Sequence, residues 1–155
     1  MRTLNLWGCR MGLLSRLTSN VMPAKKPADE VLLFHGMLLM AGADGALEDE
    51  EKSTVSAMFD TLPEFQGKDF GDMLNLANKV VAKYGNLKES VKALAEIQNP
   101  KIQMKCFVLA ADIAMSSGDV DESEDKLLET MQRMFNISDE NASKVLEVLS
   151  WKYAQ

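Results

Sequence analysis

The sequence predicts an all-α fold: a single helical bundle of about seven to eight helices, built from two helix-turn-helix repeats around two central apolar helices. Three observations carry this prediction. Apolar residues recur at i, i+3, i+4 and i+7 spacing through most of the chain, and no alternating run of Val, Ile and Thr bounded by turns interrupts them. Two segments, Val31–Ala41 and Cys106–Met115, are apolar on almost every side, as suits the centre of a bundle. A shift of 73 residues superimposes Phe34 on Phe107, Ala41 on Ala114, Gly45 on Gly118, Leu47 on Val120 and Glu51 on Glu124.

Residues 1–26 form a basic leader with a helix predicted over 5–18. Leu6, Trp7, Leu13, Leu14 and Leu17 share one broad face there, with Arg2 and Arg16 outside it. Such a segment suits three roles: peripheral membrane contact through residues 1–20, an organelle transit peptide, or an N-terminal helix docked on the bundle. Residues 27–155 make the helical domain, with repeats over about 29–85 and 86–155. Helices are predicted over 29–43 and 101–116 at the centre, with 48–60, 69–84, 87–97, 122–135 and 139–153 wrapping them. The helix over 139–153 carries the plainest stripe: Ala142, Val145, Leu146, Leu149 and Tyr153 follow a Ser138 N-cap, with Asp139 and Glu140 in the first turn.

Length and composition narrow the function. A chain of 155 residues, 46% hydrophobic and 26% charged, is long enough to bury one substantial core and is not a disordered polypeptide. Its longest nearly uncharged apolar run, Val31–Ala43, spans 13 residues, too few to cross a bilayer. Cys9 and Cys106 lack CxxC spacing and read as reduced thiols in a cytoplasmic setting. Charge is distributed unevenly: residues 1–28 hold five of the 17 basic residues and none of the 23 acids. The remainder carries a balance of −11 and would repel phosphate backbones, which excludes nucleic acid in favour of cations or basic protein surfaces.

The acids concentrate where chemistry would be sited. Asp44, Glu48, Asp49, Glu50 and Glu51 follow one glycine turn, and Asp119, Asp121, Glu122, Glu124 and Asp125 follow the other. Like charges packed this closely need compensation, from helix N-termini or from a hard cation that takes oxygen ligands. Asp121 with Glu124, and Glu48 with Glu51, stand at capping-box spacing. Asp44, Glu48, Glu51, Asp112, Asp119, Asp121 and Glu124 are the candidate ligands for Ca²⁺, Mg²⁺ or Mn²⁺. Zn²⁺ is disfavoured because neither cluster has a nearby Cys or His. An EF-hand is rejected: its sixth position would be Glu124 instead of Gly, and its twelfth Thr130 instead of Glu. Asp112, among apolar neighbours, needs hydrogen-bond donors or a cation, and His35 reads as a core histidine bonded to a backbone carbonyl. The eleven methionines fall mostly at core spacing. No GxSxG, P-loop or GxGxxG motif is present, so the expectation is a non-enzymatic protein.

The first turn, Ala43-Asp44-Gly45-x-Leu47-x-x-x-Glu51, resembles the ADGxIxxxE signature of tellurite-resistance TerB-like proteins, a group related to the N-terminal domain of membrane-anchored DnaJ-type co-chaperones. Ile113-Ala114 through Gly118, Val120 and Glu124 resembles a second copy, and Met11–Leu17 resembles the short helix with which many such proteins start. Asp44 and Glu51 match the first motif, whereas the second has Glu124 but places Ser117 where the Asp belongs, with Asp119 and Asp121 as replacement oxygens. The resemblance spans about residues 11–153. It implies an all-helical two-repeat domain with cation-binding acids. It also implies a place in bacterial stress response beside protein partners, at the inner face of the membrane.

Overall fold

A computed structural model describes residues 26–45 and 47–155. The predicted leader helix lies outside the described residues. Among those residues there are six α-helices, two 3₁₀ segments and no strand. The helices are α1 (Asp29–Ala41), α2 (Asp49–Thr61), α3 (Phe70–Tyr84), α4 (Pro100–Ser116), α5 (Glu122–Met134) and α6 (Asp139–Lys152). The 3₁₀ segments are Pro63–Phe65 and Glu89–Glu96.

The two all-round apolar segments become the centre. Every residue of α1 from Val31 to Ala41 is buried, and α4 buries Cys106, Phe107, Leu109, Ala110, Ala111, Ile113 and Ala114. They pack chiefly on each other. Helices α2 and α3 and the 3₁₀ segment Glu89–Glu96 cover α1, while α5 and α6 cover α4. Phe34 sits edge-on to Phe59, Phe65 and Phe70 at centroid distances of 5.6, 5.9 and 5.4 Å, which locks α2 and α3 around α1. Lys105 clamps Glu64 at 2.6 Å, joining α4 to the Pro63–Phe65 turn. Met37, Met40, Met73 and Met131 are buried, and Met58, Met104, Met115 and Met134 pack against the core.

Two sequence expectations need correction. The helix expected over 87–97 is a 3₁₀ segment, held by i to i+3 bonds such as Ser90 N–H to Leu87 O and Ile97 N–H to Leu94 O. Its turn is tightened where the Ser90 hydroxyl also donates to Leu87 O, with Ser90 buried beneath His35. On α6 the buried stripe is narrower than expected. Ala142 and Leu149 are buried, but Leu146 is exposed because α6 reaches the rest of the bundle mainly through α4.

Candidate functional site: two acidic turns meeting at Glu124

Each turn is made by a glycine that ends a central helix. After α1 the chain bends through Gly42 to Gly45, whose φ of +101° is open to glycine and strained for other residues. After α4 it bends at Gly118, with φ of +83°, where the Ser117 hydroxyl donates to Ala114 O and Asp119 O. An acidic helix start follows each turn. At α5 the Asp121 carboxylate accepts from Glu124 N–H at 2.9 Å, and Glu124 accepts from Asp121 N–H at 3.1 Å. This reciprocal pair satisfies two donors at the helix start. At α2 the corresponding reach-back joins Glu48 N–H to Glu51 Oε2 at 2.8 Å.

The two starts are coupled through their charges. Burial raises the Glu124 carboxyl above the ordinary carboxylate range, against the lowering effect of its bond to the Asp121 amide. The negative charges of Asp121, Asp44 and Glu51 raise it further. Asp44 and Glu51 come from the first turn, Asp121 and Glu124 from the second. Four of the seven candidate ligands therefore share one electrostatic field. Glu48 contributes its amide to the α2 cap, and Asp119 is exposed beside Gly118.

Asp112 has other partners. Its carboxylate accepts from Lys152 Nζ at 2.8 and 3.0 Å and from the Tyr153 hydroxyl, fastening the end of α6 to α4. His35 is fully buried, with Nε2 3.0 Å from Ser90 Oγ and 3.3 Å from Ser90 O. Among the described residues, no three Asp, Glu, His or Cys side chains are arranged to hold a metal ion.

The first turn also borders a cleft of about 470 Å³ that the sequence did not announce. Leu39, Leu87, Val91 and Leu127 form apolar walls, with Asp44 and Lys126 at the edge. Its walls come from three separate stretches of chain, so no local pattern points to it.

A family model described as tellurite resistance protein TerB matches residues 24–146. The match takes in both glycine turns and most of the described bundle. The chain belongs to the TerB family. No curated protein and no solved structure gives a match. TerB is not a known enzyme family, and no described helix is long and apolar enough to cross a membrane.

Proposed function

We propose that this TerB domain is a non-enzymatic stress-response module whose paired acidic turns bind a divalent cation and present the resulting surface to protein partners. One observation carries the reading: Glu124 lies in the field of Asp121 from its own turn and of Asp44 and Glu51 from the other. The donor set is carboxylate oxygen without Cys or His, which suits Ca²⁺, Mg²⁺ or Mn²⁺ and disfavours Zn²⁺. Asp44, Glu51, Asp121 and Glu124 would hold the ion, with Glu48 and Asp119 at the margin. Its positive charge would relieve the repulsion between the turns. Glu51 and Glu124 also serve as caps at the helix starts, so binding draws on oxygens that already fix α2 and α5. The setting we propose for it is the cytoplasm, at the inner face of the membrane.

A second reading has its own support. Since no three described side chains are arranged to hold an ion, the acids also suit a metal-independent adaptor that docks basic protein surfaces. An amide-resolved NMR titration of chelator-treated protein with Ca²⁺, Mg²⁺, Mn²⁺ and Zn²⁺ separates the two. The cation reading expects saturable changes confined to residues 44–51 and 119–125, lost in Asp44→Asn with Glu51→Gln. No saturable change up to millimolar ion would overturn it and leave the adaptor. Partner binding would then be sensitive to salt and indifferent to chelator.

A further inference from the structure

A second cleft, of about 460 Å³, opens where the described chain begins. It follows from a stripe on α3: Leu76, Lys79, Val80 and Lys83 stand at i, i+3, i+4 and i+7 and line one wall. The start of α1 and the end of the Glu89–Glu96 segment supply the others through Val31 and Ala93. Val31, Val80 and Ala93 are buried, while Leu76 keeps 41% of its surface exposed at the mouth. The volume falls within the roughly 300–1,000 Å³ usual for small-molecule sites.

The charge around this cleft runs against the rest of the domain. Lys26, Lys79 and Lys83 line it, and Glu96 is the single carboxylate among its lining residues. Glu96 pairs with Lys83 at 3.8 Å, whereas Lys26 and Lys79 have no ion-pair partner among the described residues. The N-terminus of α1 also borders the cleft, and its N-cap Ala28 offers no side-chain acceptor. The two acids of that first turn are engaged by other groups: Asp29 accepts from the Gln98 and Asn99 amides, and Glu30 pairs with Lys68 at 3.1 Å. An apolar trough edged by unpaired ammonium groups and a helix N-terminus calls for a ligand with an apolar body and an anionic head.

We propose that this cleft binds a single-chain anionic amphiphile of the fatty-acid or alkyl-phosphate type. The alkyl chain lies along Val31, Leu76, Val80 and Ala93, and the head group sits among Lys26 and Lys79.

The test is a methyl- and amide-resolved NMR titration of the full chain. The probes are sodium dodecanoate, dodecyl phosphate and dodecyltrimethylammonium, each below its micelle concentration, and anionic phospholipid vesicles in a separate arm. Expected are saturable shifts at Val31, Leu76, Val80 and Ala93 with both anions, and weaker binding of the cationic amphiphile. Lys79→Glu, an exposed substitution that leaves the core intact, should weaken anion binding by about fivefold. The proposal is overturned by absence of saturable shifts with the free anions, including a response to vesicles alone. Equal affinity for the cationic amphiphile, or unchanged affinity in Lys79→Glu, overturns it too. So does movement of the cleft signals without ligand on introducing Leu13→Asp and Leu17→Asp, which would make the leader the occupant.

Discussion

His35 has an unequal pair of ring nitrogens. Because the Ser90 hydroxyl donates to Leu87 O, it meets the imidazole as an acceptor, and Nε2 carries the proton. Nδ1 is then a buried lone pair without a hydrogen-bond partner. Burial lowers the pKa of the ring from 6.5 to about 4, against the opposing pull of its bond to Ser90. The sign of the pH effect follows directly. Between pH 6.5 and about 4 the unfolded chain binds a proton at this site and the folded chain does not, so stability falls as pH falls through that window. The gap corresponds to on the order of 3 kcal/mol. In urea unfolding at pH 7 and at pH 4.5, wild type should lose more stability than His35→Leu, whose Ser90 still bonds to Leu87 O. Parallel losses in the two proteins would remove His35 as the cause. Other acid-sensitive groups, such as Glu30 held below its usual range by its backbone bond and by Lys68, act equally in both.

At the level of the element, the start of α5 sets capping against repulsion. Asp121→Ala removes the acceptor for Glu124 N–H and should cost about 1 kcal/mol. Glu124→Gln keeps a side chain that serves at this capping-box position, yet removes a charge that burial and Asp121, Asp44 and Glu51 all disfavour. Thermal melts at neutral pH should therefore show Asp121→Ala below wild type and Glu124→Gln at or above it. The difference should shrink as pH falls and the raised Glu124 carboxyl protonates. A drop in Glu124→Gln as large as that in Asp121→Ala would mean that capping outweighs repulsion. These helix starts were legible in the sequence because capping is local: Ser138, with its hydroxyl accepting from Asn141 N–H, was readable for the same reason. The 3₁₀ character of Glu89–Glu96 was not legible, since it depends on Ser90 meeting His35, 55 residues away. Nor were the partners of Asp112, which wait at Lys152 and Tyr153 in the last turn.

Across the whole molecule, the offset of 73 residues carries α2 at 49–61 onto α5 at 122–134, and the positive-φ glycines Gly45 and Gly118 onto each other. Uniform apolarity was enough to place α1 and α4 at the centre. The coupling of the two acidic turns was beyond sequence reading, because it joins residues from two distant stretches of chain. Helices α1 and α4 come close at Gly36. A Cβ built on Gly36 of α1 would overlap Sγ of Cys106 on α4, with Leu94 Cδ2 3.6 Å away. Gly36→Ala gains about 1 kcal/mol in helix propensity. Against that, overpacking a filled core costs about 1–3 kcal/mol, and Cys106 is fully buried with little room to withdraw. The net expectation is destabilisation, with α1 and α4 pushed apart. Cys106→Ala removes the colliding sulfur, so the double variant should recover most of the loss. A double-mutant cycle from urea unfolding should return a favourable coupling above about 1 kcal/mol, whereas strict additivity would mean the helices do not meet there. Thiol chemistry will not confuse the comparison, since burial pushes the Cys106 pKa up to about 12 and keeps the sulfur protonated. If the α1–α4 spacing sets the distance between the turns, Gly36→Ala should move the amide signals of Asp121 and Glu124, and Gly36→Ala with Cys106→Ala should return them.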